Sequence, residues 1–484
     1  MNRRTFFEKS AIGFAGLTIV PSAILGKQVG KTAPSDKLNI AGIGVGGKGS
    51  VNLRNMNSQN IVALCDVDWE YSKQTFEDYP DAQRFWDYRV MYDKMGKSID
   101  AVMIATPDHT HAIIAADAIT LGKHVYLQKP MTHSVYESRL LTKLAEKYKV
   151  ATQMGNEGAS KEGVRQVCDW IWAGEIGEVK KVDTYTNRPI WPQGLTRPKE
   201  VMAIPDTLRW DLFIGPAAMR PYHKAYAPWN WRAWWDFGVG ALGDMACHIF
   251  FPAYKSLCLE YPTRIQGSST TLFAESAPLA QHVRYTFAAR GKKGTLDLPE
   301  LTLDWYDGGW KPVRPEGTPE DISFSNDGGL IFHGSKDTLF CNSAGNNPQL
   351  MSGRKPTVPK MNREITVTHE MDWVRACKEN SDTRVPTVSD FSIAGPLNEM
   401  VVMGVLAVRL QGLNRILQWD GSNMQFTNIN PNDTVRFLEK NDIKLEGRRA
   451  AADQKWTEPI NAQEFSQELI KHTYHNGYQL VGML

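Results

Sequence analysis

Cysteine is scarce and scattered in this chain of 484 residues: Cys65, Cys168, Cys247, Cys258, Cys341 and Cys377, with no Cys-x-x-Cys among them. That pattern signals neither a zinc site nor a disulfide framework. Most of the thiols are expected to be buried. A strong charge of either sign is also missing, since 55 Lys and Arg stand against 53 Asp and Glu. No basic surface for nucleic acid is implied. Internal repeats and low-complexity tracts are absent as well. What the chain does have is 42% hydrophobic and 10% aromatic content, enough to build the cores of about two or three domains.

The opening "MNRRTFFEKSAIGFAGLTIVPSAILG" combines a basic start, an apolar run over residues 11–20, and small residues around Ser22 and Ala23. This is the pattern of a cleaved export signal over residues 1–30. The run is interrupted by Gly13 and Gly16 and falls short of the roughly 20 apolar residues a span requires, so no stable membrane span is expected after its removal. Arg3 and Arg4 before Thr5-Phe6-Phe7 resemble a twin-arginine signal, which serves proteins exported already folded. The expected location is the periplasm.

From residue 37 to about 155, strand-like runs ("LNIAGIGVGG", "IVALCDVD", "DAVMIATP", "KHVYLQKP", "VATQMGN") alternate with helical patterns. Short β-rich runs separated by helices predict a parallel, doubly wound sheet, assigned here to a dinucleotide-binding domain of residues 31–156. Longer strand candidates follow ("EVKKVDTYTNRP", "HVRYTFAAR", "LTLDWYDG"), then a helix within residues 387–412 and a late strand in "ILQWDGSNMQFTN". They predict a substrate-binding α/β domain over residues 157–425, built on a mostly antiparallel sheet. Residues 426–484 read as a polar C-terminal extension.

"KLNIAGIGVGGKGS" runs a hydrophobic strand into Gly42, Gly44 and Gly47, spaced G-x-G-x-x-G and followed by a helical stretch. Such glycines permit a tight turn, close approach of backbone to a pyrophosphate, and close helix packing. Asp66 ends the next strand, where a carboxylate meets ribose hydroxyls and repels a 2′-phosphate, so the expected cofactor is NAD. Ligands bind at the carboxyl ends of such strands, which brings Thr106, Pro107, Asp108 and His111 of "TPDHTHA", and Lys129 of "LQKPM", to the cofactor crevice. His109 and His111 diverge on a helix start and have no third ligand nearby, so no metal is expected.

Two further features carry chemistry. In "LGDMACHIF", Asp244 and His248 share one helical face, as either a catalytic pair or an intrahelical contact. Between residues 188 and 235, tryptophans and arginines crowd together. Trp191 and Trp235 are candidates for stacking on a sugar ring, and Arg188 and Arg232 for donating to its hydroxyls; core filling is the alternative.

The glycine loop, "ATPDHTH", "QKPMTHSVYE", "GEIGEV" and "GDMACH", in this order over residues 37–257, resemble the Gfo/Idh/MocA oxidoreductases. "HEMDWVRAC" and "PLNEMVVMGVLAVR" extend the likeness towards residue 425. The resemblance implies a Rossmann domain joined to a larger α/β domain with an open, predominantly antiparallel sheet, the active site lying between them. It implies that Lys129, Asp244 and His248 surround a reacting carbinol, which favours the catalytic reading of the pair. Gln128 stands where the family usually has Glu; its amide still offers hydrogen bonds to a ribose. The expected activity is hydride transfer between tightly bound NAD and a secondary hydroxyl of a sugar or glycoside. Carbon 3 is a candidate position, because a ketone there acidifies the neighbouring C–H. The rivals are a redox-neutral NAD-dependent glycosidase and a non-catalytic sugar-binding protein of the same fold. A homo-oligomer is expected. Asp66→Ala should weaken NAD retention, measured as nicotinamide released from denatured purified protein.

Overall fold

The computed structural model describes residues 36–294, 296–358 and 367–482. The export segment of residues 1–30 lies outside the described residues. The first sheet contains β1 (Asn39–Ile43), β2 (Asn60–Cys65), β3 (Gln83–Phe85), β4 (Ala101–Ile104), β5 (His124–Leu127) and β6 (Thr152–Met154) in the order β3-β2-β1-β4-β5-β6. Every neighbouring pair is parallel. The connecting helices cover both faces, which is why β4 is buried at every residue and reads as a continuous apolar run. The order reverses between β1 and β4, opening a crevice at the strands' carboxyl ends.

The second sheet has nine strands: β7 (Val179–Thr186), β8 (Arg264–Ser269), β9 (Gln281–Phe287), β12 (Leu301–Tyr306), β13 (Gly328–Gly334), β14 (Thr338–Asn342), β15 (Gln349–Leu350), β16 (Leu417–Asp420) and β17 (Gln425–Phe426). A hairpin of β10 (Gly291–Lys293) and β11 (Leu296–Leu298) stands outside it. The order is β15-β14-β13-β7-β12-β9-β8-β16-β17, with β7 and β12 parallel and the other pairs antiparallel. The late strand expected in "ILQWDGSNMQFTN" is thus two strands. Asp420 Oδ1 accepts from the backbone of Ser422 and Asn423, a local turn that competes with extension.

Two helices fill one face of this sheet. Gly240–Ser256 carries Asp244 and His248; Phe391–Arg409 starts where Asp390 accepts from the Ser392 N–H. The second helix lies unusually close to the sheet, because a Cβ on Gly404 would fall 1.9 Å from the Tyr285 hydroxyl and one on Gly267 would fall 2.6 Å from the Ala407 carbonyl carbon. Among the described residues it is the one helix long and apolar enough to cross a bilayer, and it is buried in the protein instead.

The N-terminal domain is completed from further along the chain. Helix His369–Lys378 puts Trp373, fully buried, into a cluster with Ile40, Leu53, Leu64, Met103 and Tyr126, and the indole N–H donates to the Ala151 carbonyl at 3.3 Å. Trp373→Ala should therefore destabilise the protein by about 3 to 5 kcal/mol. Denaturant unfolding should show the loss in the N-terminal domain, read from β1–β6 amide exchange.

Candidate active site

A cleft of about 490 Å3 runs from the glycine loop to the helix bearing Asp244 and His248. Its floor is built where strands end. The loop after β1 makes the tight approach expected of it, although the glycines divide the work differently. A Cβ on Gly44 would lie 2.6 Å from the Ala105 carbonyl carbon, so this residue joins the loops after β1 and β4. One on Gly49 would lie 1.9 Å from the Gly44 oxygen. Close packing of helix Gly47–Asn55 thus rests on Gly49, which the G-x-G-x-x-G spacing did not single out. Gly47 has a φ of 47° and begins that helix.

Asp66 seals the loop. Its Oδ2 accepts from the amides of Val45 (2.7 Å) and Gly46 (3.2 Å), and its Oδ1 accepts from the Asp68 amide at 2.9 Å. Burial pushes its carboxyl up from the usual value, against the hydrogen bonds from the Asp68, Val45 and Gly46 amides. Asp68 and Asp87 line the same end of the cleft. Three carboxylates there suit free ribose hydroxyls and disfavour a phosphate.

At the opposite end, Lys129 Nζ donates to Asp244 Oδ1 at 2.5 Å and to the Asp244 carbonyl at 3.2 Å. Arg232 reaches the same carboxylate oxygen through Nε at 3.2 Å and extends NH1 to Asp108 at 3.2 Å. Burial opposes ionisation of Asp244, yet Lys129 and Arg232 hold its carboxyl well below the usual carboxylate range. Burial pushes Asp108 up to about 6 against the pull of Arg232. His248 sits one turn beyond Asp244 and also lines the cleft. Burial, helped by the Lys129 ammonium, brings its ring down to about 3. Asp244 does not orient it: among the described residues the carboxylate's bonds go to the two cations, and none joins it to His248.

Thr106, Pro107, Gln128, Arg188, Trp191 and Arg232 line the cleft together with Gly44 and Gly47. The Gln128 amide donates to Asn52 Oδ1 at 2.8 Å. Gly42 lies beneath the loop, against Val45 and Leu53.

Three expectations need correction. His111 does not reach the cleft: its Nδ1 lies 2.8 Å from the Pro130 carbonyl and its Nε2 2.8 Å from the Thr106 carbonyl, so the buried ring ties the loops after β4 and β5 together. Trp235 belongs to the core, where the Arg409 guanidinium lies 5.2 Å from its ring centre. Arg232 is committed to Asp108 and Asp244, with its guanidinium 4.3 Å from the Trp231 ring centre. It therefore positions both carboxylates while lining the cleft, whereas Asp108, expected at the crevice, is buried and does not line it.

Other cleft residues went unnoticed in the sequence. Lys48 pairs with Glu157, whose carboxylate also lies 3.4 Å from the Asn52 amide. Trp86 stacks face to face on Trp69 with ring centres 4.0 Å apart. Tyr478 comes from the C-terminal extension. Only Lys48, next to the glycine motif, carried a local signal.

A glycine loop at the switch point of a parallel sheet, with an acid ending the second strand, defines a dinucleotide-binding protein. The sequence matches an oxidoreductase family with an NAD-binding Rossmann fold over residues 38–156 and that family's C-terminal α/β domain over residues 172–290. The chain belongs to this family, the Gfo/Idh/MocA oxidoreductases, and its cofactor is NAD. It is similar to scyllo-inositol 2-dehydrogenase (NAD(+)) of Bacillus subtilis, at 32% identity over 23% of this chain and 28% of that protein. It is also similar to inositol 2-dehydrogenase of Salmonella typhimurium, at 25% identity over 28% of this chain and 42% of that protein. These matches thus span well under half of each relative's length. In fold, the chain resembles the WlbA dehydrogenase of Chromobacterium violaceum, solved with NADH and UDP-GlcNAcA, with a TM-score of 0.56, 15% identity, and coverage of 80% of this chain and 97% of that one. Levoglucosan dehydrogenase, solved with NADH and levoglucosan, gives a TM-score of 0.52, 15% identity, and coverage of 79% and 99%.

Arg232→Lys should keep the charge and lose the planar fork that holds Asp108 and Asp244 together. Misplacement on the scale of 1 Å costs up to about 100-fold in rate. Steady-state kinetics should show kcat falling while KM changes little.

Proposed function

We propose that the protein is an NAD-dependent dehydrogenase that oxidises a secondary hydroxyl of a sugar or glycoside. The observation that carries this reading is the Lys129–Asp244 contact of 2.5 Å at the end of the cleft that begins at the glycine loop, with His248 one helical turn away. Relatives named as inositol dehydrogenases and a structural neighbour solved with levoglucosan support a polyhydroxylated substrate. The residues fit the cofactor: Gly44, Gly46 and Gly47 present the loop backbone to the cleft, and Asp66, Asp68 and Asp87 line its ribose end. Bound NAD supplies the hydride acceptor.

The chain's own groups handle the proton. His248 is unprotonated above about pH 4, because burial and the Lys129 ammonium hold it near 3. Its lone pair is thus open to the substrate hydroxyl across the whole physiological range. An imidazole so depressed is a weak base, and the ammonium of Lys129 compensates by stabilising the developing alkoxide. Asp244, held ionised, keeps Lys129 in place and offsets its charge. Trp191 and Trp231 offer aromatic faces along the same cleft, suited to the apolar face of a sugar ring. The proposal includes export, supported by Arg3 and Arg4 ahead of the apolar run at residues 11–20.

Single-turnover reduction of bound NAD by a panel of sugars, followed by nicotinamide absorbance, tests the reading. His248→Ala should slow it roughly 100 to 10,000-fold with cofactor still bound. The double variant Lys129→Met, His248→Ala should lose far less than the product of the single losses, since each breaks the same step. In the wild type, titration of His248 should produce no fall in rate between pH 8 and 5, because its depressed pKa keeps it unprotonated there. Near-native rates in His248→Ala would sink the assignment.

A further inference from the structure

The end of the cleft marked by Asp66 and Asp87 is closed by two stretches of chain remote from the dinucleotide fold. The first is residues 205–217, which contribute Leu208, Leu212, Phe213 and Gly215 to the cleft wall. This stretch is fastened to the chain just beyond β2: Asp68 bridges to Leu208, the Trp69 amide donates to the Thr207 carbonyl at 2.9 Å, and the Arg209 amide donates to the Val67 carbonyl at 2.8 Å. The second is the tail after helix Ala462–Ile470, which contributes Tyr478.

The two stretches are also tied to each other. The Asn476 side-chain amide donates to the carbonyls of Gly215 and Ala217, each at 2.8 Å, and the His475 amide donates to the Pro216 carbonyl at 2.9 Å. The tail is anchored on the dinucleotide domain on either side of this knot. Tyr474 Oη donates to Glu137 at 2.6 Å, and the Arg89 guanidinium, itself paired with Asp87, lies 4.6 Å from the Tyr478 ring centre. Among the described residues 471–482 the chain forms no helix or strand, so isolated contacts such as these, together with the buried Leu480, hold it.

In an open parallel sheet the acid that ends the second strand meets the adenosine ribose. Here Leu208, Leu212, Phe213 and Tyr478 line the cleft at that end. Asn476 also has a φ of 56°, a left-handed conformation that Asn tolerates better than most residues, which suits it to turn the tail back across residues 215–217.

We propose that residues 205–217 and the C-terminal tail form a roof over the adenosine half of the cleft, fastened by Asn476, and that opening of this roof sets the residence time of NAD(H). The proposal rests on the NAD-binding reading of the cleft. Release is governed by local unfolding of a short, side-chain-held segment rather than by separation of the two domains. Lys129, Asp244 and His248 lie at the other end, so hydride transfer within a loaded molecule does not depend on the roof.

NADH release from the loaded full-length protein, followed by loss of nicotinamide fluorescence in a chase with excess NAD, tests this. Asn476→Asp keeps the shape and the left-handed conformation while setting a carboxylate against two carbonyls. It should speed release by about tenfold or more, the scale of one or two lost hydrogen bonds. Tyr474→Phe, which removes the tail's bond to Glu137 outside the cleft lining, should do the same, with single-turnover hydride transfer in both variants within about twofold of wild type. Release at the wild-type rate from both variants would overturn the roof. A wild-type protein that takes up no NADH would instead overturn the cofactor reading beneath it.

Discussion

The Asp244 carboxylate is the charge on which the site depends. It comes from the second domain and receives Lys129 from the first, while Arg232, its neighbour in the second domain, reaches across to Asp108 in the first. The four groups alternate in sign, and two of the three contacts cross between the domains. Each cation has a carboxylate within about a hydrogen bond, so burying them costs far less than burying any one alone. The same chain of charges that holds the domains in register presents Lys129 at the point where an alkoxide would form.

This arrangement assigns the surrounding residues their parts. Arg232 holds two carboxylates and lies over one indole face, and Arg188 and the aromatic rings line the cleft beside it. Burial depresses His248, and the Lys129 ammonium adds to it against the pull of Asp244. A buried imidazole next to an ammonium stays neutral, and neutrality is what leaves it a lone pair.

Much of this was legible wherever the cause is local. Fully covered parallel strands leave near-continuous apolar runs, so β1, β2, β4 and β5 announce themselves, and Asp66 stands out because it ends one of them. Asp244 and His248 are visible as a pair because helical spacing puts them on one face. The partners of other residues were not visible. Nothing adjacent to Trp235 says that Arg409 will cover it, and nothing near His111 says that carbonyls from two separate loops will take both its nitrogens. Gly49 was hidden for another reason: the fingerprint names Gly47, and only the packing of helix on strand shows which glycine a side chain would block. The C-terminal extension looked featureless because the hairpin of Leu438–Glu446 and Arg449–Trp456 is largely exposed and polar, and its tail is held by contacts to residues far earlier in the chain.

Trp373 has a consequence for how the molecule is made. Its indole seats among Ile40, Leu53, Leu64 and Tyr126, yet the ribosome adds it only after β7 to β15 have been synthesised. Domains generally fold as units in the order in which they are translated. Here the nascent dinucleotide domain carries an open apolar socket throughout synthesis of the large sheet, and the plug arrives last. The two halves therefore mature together on a nearly finished polypeptide, and a chain stalled or cut within the large sheet leaves a first domain that has all six strands and still lacks its closing side chain.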